Sequence, residues 1–362
     1  MPKGVMWRHE DIFFASLGGG DLDRTRGPIT SPEQLGERIG EFQMATLGAP
    51  PFMHAAAQWT ALSQMFAGGK LVIPAHGAFD VEAILTAVET EKVVALTLVG
   101  DAMATPIADA LEANPGRWDL SGLFVIASGG AVLSPSVKAR LLEQLPGKMI
   151  VDGLGSSETG IMGNKTSGLE AQESAEPRFT VGESVQVLDE KLQAIAPGSG
   201  VVGKLARGGH VPIGYYNAPE KSAETFVEVD GTRWSLPGDL ATVEADNTVV
   251  LLGRGSTSIN SGGEKIFPEE VESALKAHAQ VYDAVVVGVP DERWGQAVTA
   301  VCQFREGGAP SLDELKEFCR TQLAAYKVPR RLVPCAKIKR SPAGKADYPW
   351  AKGFANEALG LQ

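Results

Sequence analysis

The chain has 362 residues, a length typical of two domains, and its 44% hydrophobic and 21% charged residues are typical of a folded globular protein. The chain has 33 Lys and Arg residues and 44 Asp and Glu residues, so its net charge is −11. A chain with this negative charge is a poor candidate for binding the phosphate backbone of nucleic acid by overall electrostatic attraction. The three cysteines lack a Cys-x-x-Cys spacing, which excludes a disulfide framework and a Cys-based zinc site and favours a reducing, cytoplasmic compartment.

The segment 42–69 contains no Asp, Glu, Lys or Arg. Pro50, Pro51 and several polar side chains interrupt it, so it predicts a buried loop and helix and not a transmembrane segment. The N-terminal residues do not show the apolar core of a secretory signal.

Between residues 70 and 152, short apolar runs alternate with helical periods. The runs predict buried strands at 71–73, 93–99, 123–127 and 149–151. Helices are predicted at 80–91, 101–113 and 134–145, with Asp80 and Ser134 as N-caps. Alternation of this kind predicts a mostly parallel sheet covered on both faces.

Beyond Gly160, dense Pro and Gly punctuation predicts short antiparallel strands at 181–188, 203–206 and 249–252. A Gly- and Ser-rich linker at 253–258 then leads into a compact α+β pattern. That pattern predicts a helix at 268–279, a strand at 283–289 and a helix at 311–325. We therefore expect an α/β protein of two domains. The large mixed α/β domain, at 1–256, has a parallel sheet and a β-rich subdomain, and the small domain, at 257–362, is α+β.

Several common catalytic motifs are missing. Gly153-Leu154-Gly155 follows a strand, but Glu158 replaces the third glycine of a dinucleotide fingerprint. The sequence contains no Gly-x-Ser-x-Gly, and its five histidines have no metal-ligand spacing.

Three polar motifs remain, and each taken alone has two interpretations. The segment 155–160 is either a polar turn or a phosphate loop at the carboxyl end of a parallel strand. Asp239, after Gly238, either belongs to a plain turn or accepts hydrogen bonds from a ribose. Lys345 is either an ordinary solvated lysine or a functional cation.

The order of the motifs resembles the adenylate-forming superfamily, which includes acyl-CoA synthetases, luciferases and peptide-synthetase adenylation domains. The matching segments are Met1-Pro2-Lys3-Gly4-Val5, Pro51-Phe52-Met53-His54, Ser128-Gly129-Gly130-Ala131, Asp152 to Glu158, Gly214-Tyr215-Tyr216, Gly238-Asp239-Leu240, Gly253-Arg254, Ser261 to Ile266, and Pro342 to Lys345. They span essentially the whole chain.

The resemblance implies a role for each matched residue. Lys345, Glu158 and Ser157 would be catalytic: Lys345 at the α-phosphate of ATP, Glu158 on Mg²⁺, and Ser157 on phosphate. Asp239 would accept from the ribose hydroxyls, and Arg254 would reach the ribose or phosphate. The remaining nucleotide, acyl and coenzyme A contacts would come from Ser128, Gly129, Gly130, Asp152, Gly153, Leu154, Gly155, Ser156, Gly262, Gly263, Lys265 and His54.

The implied reaction is ATP-dependent ligation of a fatty or sterol-derived carboxylic acid to coenzyme A through an acyl-adenylate. For the second half-reaction, the small domain would rotate about a hinge at 253–258. The Ser261–Lys265 loop would then face the active site in place of Lys345. An amino-acid adenylation domain is disfavoured because no carrier domain follows Lys345, and a luciferase stays open. A homodimer is a further expectation.

The chain departs from the family pattern at three places. Leu154 stands where many members have an adenine-stacking aromatic residue, and Thr257 stands where a hinge Asp is usual. The sequence also begins inside the phosphate loop. We therefore expect an N-terminally truncated ligase, with a non-catalytic remnant that binds adenylate or acyl-CoA as the alternative.

Overall fold

The computed structural model describes residues 3–21, 25–40, 43–74, 79–168 and 177–361. The chain separates into two compact units, Met1–Leu133 with Val137–Leu251, and Ser134–Ser136 with Leu252–Gln362. None of the helices in the described ranges is both long and apolar enough to cross a bilayer.

The larger unit contains strands β1 to β14 and helices α1 to α5 and α7, together with most of α6 and the first three residues of β15. The strands are β1 Val5–Met6, β2 Ala45–Gly48, β3 Lys70–Val72, β4 Ala95–Leu98, β5 Val125–Gly129, β6 Met149–Ser156, β7 Gly160–Ser167, β8 Arg178–Val181, β9 Val185–Leu188, β10 Gly203–Gly208, β11 Gly214–Tyr215, β12 Phe226–Val229, β13 Thr232–Ser235, β14 Asp239–Val243 and β15 Val249–Arg254. The helices are α1 His9–Ser16, α2 Pro32–Arg38, α3 Ala55–Ala67, α4 Val81–Thr90, α5 Gly100–Ala113, α6 Pro135–Gln144 and α7 Pro219–Thr225.

A parallel segment, in the order β3-β2-β4-β5-β6, forms one part of the main sheet. Its strands are short and buried, and α4 starts on the predicted cap, since the Asp80 carboxylate accepts from the amide of Ala83. Strand β2 was not predicted: Ala45–Gly48 lies within the segment expected to be loop and helix, and it pairs with both β3 and β4. The predicted parallel α/β sheet is confirmed, with this one additional strand.

From β6 onward the sheet is antiparallel, because β7 turns back directly on β6. The sheet continues through β8, β15, β14 and β10, with β9 and β13 also paired to β10. The single strand expected at 181–188 is two strands, β8 and β9, separated at residues 182–184. A separate two-stranded ribbon pairs β1 with β11.

The smaller unit is α+β, as predicted. Its elements are β16 Ile259–Ser261, β17 Glu264–Ile266, α8 Pro268–Lys276, β18 Val281–Asp291, β19 Gly295–Phe304, α9 Leu312–Arg320, β20 Arg331–Pro334 and α10 Tyr348–Ala358. The long hairpin of β18 and β19 is buried on both faces, with one hydrophobic cluster on each. Helix α9 begins with the predicted capping box between Ser311 and Glu314, but ends at Arg320, five residues before the predicted end.

Candidate active site

The turn that joins β6 to β7 lies at the carboxyl end of the parallel segment, where α/β sheets bind ligands. The amide of Thr159 donates to the carbonyl of Ser156, and the buried hydroxyl of Thr159 accepts from the Ser156 amide at 3.0 Å. A Cβ at Gly155 would lie 2.3 Å from the carbonyl oxygen of Gly160, so only glycine fits there. The predicted loop is thus a tight, internally bonded turn with Ser157 exposed.

The Glu158 side chain is held by a residue from a distant strand. The hydroxyl of Tyr215 donates to Oε1 of Glu158 at 2.9 Å, and the hydroxyl of Ser235 donates to the Glu158 carbonyl at 2.7 Å. The carboxylate is partly buried, whereas Tyr215 is only 4% exposed. Glu158 is therefore oriented by two hydroxyl groups from the β-rich half of the unit.

Tyr215 is in turn fixed by the start of the chain. Val5 pairs with Tyr215 in the β1–β11 ribbon, and the ammonium of Lys3 lies 4.5 Å from the centroid of the Tyr215 ring. The indole of Trp7 donates to the Ser157 carbonyl at 2.9 Å. Of the Pro-Lys-Gly-Val match, Lys3, Gly4 and Val5 are thus near the turn, while Met1 and Pro2 lie outside the described residues.

A second group of predicted residues lies on adjacent strands at the same edge. Ser128 is opposite Asp152, and Gly129 is opposite Gly153. The buried Ser128 hydroxyl accepts from the amide of Gly100 at 3.0 Å, which ties the end of β5 to the start of α5. The loop after β5, which includes Gly130, therefore leaves the sheet next to β6, the strand that leads into the Glu158 turn.

Asp152 forms a buried ion pair with Lys138 of α6. Burial raises the pKa of the Asp152 carboxyl, and the nearby Lys138 ammonium opposes that rise. The lysine side chain is 8% exposed and the aspartate side chain 13%. The contact between Asp152 and adenine remains a prediction. If it forms, the carboxylate makes it while paired with the Lys138 ammonium.

Three other predicted residues occupy different settings. Leu154 is 7% exposed and packs in the hydrophobic cluster with Met162 and Phe179, so little of it is available to a nucleotide. His54 is the N-cap of α3, where its Nδ1 accepts from the amide of Ala56 at 3.2 Å. Asp239 begins β14 and is partly exposed.

In the smaller unit, Gly262 and Gly263 form the turn between β16 and β17, and both have positive φ, 63° and 89°. The neighbouring Lys265 is exposed. Arg254 is an exposed residue at the end of β15, and its carbonyl accepts from the amide and the hydroxyl of Thr257. The first two residues of the predicted linker, Gly253 and Arg254, are therefore still part of strand β15.

Lys345 is exposed on a tight loop. The amide of Ser341 donates to the Lys345 carbonyl at 2.9 Å, and the Lys345 amide donates to the Ser341 hydroxyl at 3.2 Å. The guanidinium of Arg340 donates to the Gly344 carbonyl at 3.0 Å, so the backbone on both sides of Lys345 is fixed.

Sequence reasoning gave no role to Trp7, Lys138, Tyr215, Ser235 or Arg340. Tyr215 alone carried a signal, because the Gly214-Tyr215-Tyr216 segment matched the family order. The other four belong to no motif in the sequence, and only the fold shows their partners.

The Glu158 carboxylate is suited to bind a magnesium ion that is itself bound to a nucleotide. The described residues contain no cluster of three His, Cys, Asp or Glu side chains that could hold a metal by themselves. Mg²⁺ usually takes one or two carboxylates, with substrate phosphates and water as its other ligands. One oriented carboxylate at a ligand-binding sheet edge meets that requirement.

Comparison with known families matches both units. The family described as AMP-binding enzyme matches residues 1–216, and the AMP-binding enzyme C-terminal domain matches residues 270–345. A 3-oxocholest-4-en-26-oate–CoA ligase of Rhodococcus rhodochrous is 48% identical over 356 residues, which are 97% of this chain and 64% of that protein. A medium/long-chain-fatty-acid–CoA/3-oxocholest-4-en-26-oate–CoA ligase of Mycolicibacterium smegmatis is 47% identical over 360 residues, covering 98% of this chain and 65% of the relative.

Solved structures show the same fold. The anthranilate CoA ligase AuaEII in complex with anthranoyl-AMP superposes with a TM-score of 0.78 at 21% identity, covering 99% of this chain and 66% of that one. The amide bond synthetase McbA from Marinactinospora thermotolerans superposes with a TM-score of 0.74 at 25% identity, covering 89% and 64%. The chain thus spans about two thirds of the length of the proteins that it matches.

Proposed function

This chain belongs to the AMP-binding enzyme family, and on that premise we propose that it carries the AMP-forming chemistry of an acid–CoA ligase. The observation that carries the proposal is the Glu158 carboxylate, oriented by Tyr215 at 2.9 Å in a rigid turn at the carboxyl edge of a parallel sheet. Mg²⁺ that is bound with a nucleotide usually takes one or two protein carboxylates, and α/β sheets bind their ligands at the carboxyl ends of parallel strands.

In the first half-reaction, a carboxylate oxygen of the acid attacks the α-phosphorus of ATP, pyrophosphate leaves, and an acyl-adenylate forms. Ser157 is exposed beside Glu158 and would donate to phosphate. Asp239 would accept from the ribose hydroxyls, and Asp152 with the Ser128–Gly130 turn would face adenine. Mg²⁺ held by Glu158 would neutralise phosphate charge.

Lys345 would stabilise the negative charge that accumulates around the α-phosphorus. A fixed cation contributes to rate only as far as it binds the transition state more tightly than the ground state. The bonded loop of Ser341 and Lys345 supplies that preorganisation, because it fixes the backbone from which the ammonium extends.

In the second half-reaction, the thiol sulfur of coenzyme A attacks the acyl carbonyl, AMP leaves, and the thiol proton is released. The Gly262–Gly263 turn and Lys265 would face coenzyme A, Arg254 would contact the nucleotide, and His54 would lie beside the acyl group. We assign this chemistry to two domains, 1–256 and 257–362.

The proposed substrate is a medium- or long-chain fatty acid or a steroid side-chain acid. Relatives at 48% and 47% identity, each matched over nearly the whole of this chain, carry names of that class. A cytoplasmic location and a homodimer stay predictions.

The test gives the purified chain ATP, Mg²⁺ and either palmitate or 3-oxocholest-4-en-26-oate. Pyrophosphate release and trapping of the acyl-adenylate with hydroxylamine measure the first half-reaction, and acyl-CoA formation from synthetic acyl-AMP measures the second. Turnover in both supports the proposal. Tight binding of acyl-AMP or acyl-CoA without turnover would overturn it in favour of a non-catalytic binding protein.

A further inference from the structure

We propose that two Arg–Asp ion pairs in the smaller unit are separate positioning devices, one for each of the two loops assigned to the successive half-reactions. Arg340 with Asp283 positions the Lys345 loop, and Arg331 with Asp291 positions the Gly262–Gly263 turn. This inference rests on the proposed function, because it deepens the roles given there to the two loops.

The first pair connects the Lys345 loop to a core strand. Nε and one terminal nitrogen of Arg340 donate to the two carboxylate oxygens of Asp283, at 2.8 and 2.7 Å. The other terminal nitrogen donates to the Gly344 carbonyl at 3.0 Å. Both side chains are largely buried, at 16% and 14% exposure. One guanidinium therefore joins β18 to the peptide group directly before Lys345.

The chemistry of arginine is needed for that connection. A planar guanidinium donates in several fixed directions at once, so it can hold a carboxylate with two nitrogens and a carbonyl with the third. Asp283 is itself fixed, since its Oδ1 also accepts from the amide of Ala284 at 2.8 Å. Without Arg340, the Lys345 loop keeps its internal hydrogen bonds but loses the link from the Gly344 carbonyl to Asp283 of β18.

The second pair acts through a tryptophan. Arg331 donates to Oδ2 of Asp291 at 2.8 Å, and Oδ1 of Asp291 accepts the amides of Arg293 and Trp294 at 3.1 Å each. The carbonyl of Trp294 then accepts from the amide of Gly262 at 2.9 Å.

The Trp294 indole also packs closely against Gly262. A Cβ at Gly262 would lie 2.7 Å from an atom of the Trp294 ring, so the turn packs directly on that residue. The chain of contacts from Arg331 through Asp291 and Trp294 ends on the backbone of Gly262. No residue of this chain of contacts is shared with the Arg340 pair, which implies that the two loops can be perturbed independently.

The experiment compares R340M and R331M in the full chain, with K327M as the control. Lys327 pairs with Glu270 of α8 in the same unit, with both N–O distances at 2.7 Å, and neither residue belongs to either loop. We expect R340M to slow acyl-adenylate formation by about 10- to 100-fold, the effect typical of a catalytic group misplaced by about 1 Å. It should leave the rate of thioester formation from synthetic acyl-AMP within about twofold of the unsubstituted chain. R331M should slow thioester formation and leave acyl-adenylate formation within the same range. K327M should change neither rate.

A double variant separates positioning from general stability. If Arg340 acts through Lys345, R340M in the K345A background costs no further adenylation rate, because the group that it positions is already gone. An additional loss equal to that of R340M alone would overturn the inference. Equal slowing of both half-reactions by either single variant would also overturn it.

Hydrogen exchange gives a readout that does not depend on turnover. R340M should speed amide exchange at residues 341 and 343–345 only, and R331M at 262, 293 and 294 only. A uniform rise across the unit, or no rise in the assigned loop, would refute the positioning role. If the unsubstituted chain performs neither half-reaction, the proposed function fails, while exchange still decides whether each pair anchors its loop.

Discussion

The hydroxyl of Tyr215 donates to Oε1 of Glu158 across 57 residues of sequence, and the two atoms lie 2.9 Å apart. Tyr215 is one of the most buried aromatic residues of the larger unit, at 4% exposure, and Lys3 lies over its ring. The carboxylate assigned to Mg²⁺ therefore depends on a residue of the short ribbon formed by β1 and β11.

Removing this hydroxyl should weaken metal-dependent adenylation. In Y215F, Glu158 keeps its charge but loses a hydrogen bond to a charged group, an interaction that contributes about 1.5–3 kcal/mol. We expect a roughly 10-fold or larger loss of acyl-adenylate formation, together with a higher Mg²⁺ concentration for half-maximal rate. A magnesium titration of pyrophosphate release measures both effects.

The adjacent tyrosine is the control. Tyr216 is 67% exposed, and Y216F should behave as the unsubstituted chain does. If Y215F and Y216F have the same magnesium dependence, the hydrogen bond to Glu158 does not position a metal ligand.

Lys345 should matter for one half-reaction only. In K345A, acyl-adenylate formation should fall by at least about 100-fold, since the charge that this cation stabilises develops only when the α-phosphorus is attacked. Thioester formation from synthetic acyl-AMP should persist. Single-turnover assays of each step check this, and an equal fall in both steps would show that the assigned role is wrong.

Asp239 should determine nucleotide affinity more than rate. D239A leaves two ribose hydroxyls without their acceptor, which at about 0.5–1.5 kcal/mol per hydrogen bond weakens ATP binding by about tenfold. Asp246, exposed in the turn between β14 and β15, provides the matched control D246A. Calorimetric titration with ATP should separate the two variants, and equal affinities would count against a ribose contact.

The turn that carries Glu158 should not tolerate a methyl group at Gly155. In G155A the new Cβ would meet the Gly160 carbonyl at 2.3 Å, so β6 and β7 must separate. Overpacking of this kind costs about 1–3 kcal/mol. Gly182, whose Cβ position has no atom within 4 Å, gives the control G182A. Thermal unfolding should show a lower Tm for G155A alone.

The sequence predicted the elements whose patterns are local. The Asp80 cap of helix α4 and the capping box of helix α9 each involve two residues that are three positions apart, so the local sequence predicts both helix starts. Strand β2 was missed because Ala45–Gly48 is short, contains a single large apolar residue and precedes two prolines. Its burial between β3 and β4, rather than its own propensity, makes it a strand.

In the candidate site, too, the sequence predicted the local features and not the contacts between distant residues. The turn after β6 could be placed at the carboxyl edge of a parallel sheet, because strand type and order follow from the alternating pattern. The partners of Glu158 and of the Lys345 loop could not be predicted, since Tyr215 and Asp283 are each 57 residues away from the residue that they contact. Hydrogen bonds between distant positions leave no periodic trace in one sequence.

Glu272 on α8 should make the stability of the smaller unit depend on pH. Burial raises the pKa of its carboxyl to about 7, and the amide of Val286 donates to Oε1 at 3.0 Å. Because the folded-state pKa lies above the unfolded value, the group's stabilising contribution is fully present below about pH 4.5 and is lost as the pH rises through about 7. Lys276 and Arg340 oppose this shift and Glu269 adds to it.

The variant E272Q keeps an oxygen for the Val286 amide but cannot ionise. At pH 8 it should be more stable than the unsubstituted chain by about 3 kcal/mol, and the difference should disappear at pH 4.5. Denaturant unfolding of the full chain across this pH range, followed by a probe in the smaller unit, measures the difference. E270Q, at the exposed Glu270, is the control and should not gain stability at pH 8. If E272Q gains none either, the Glu272 carboxylate is accommodated in the folded unit at no cost, and the predicted dependence is wrong.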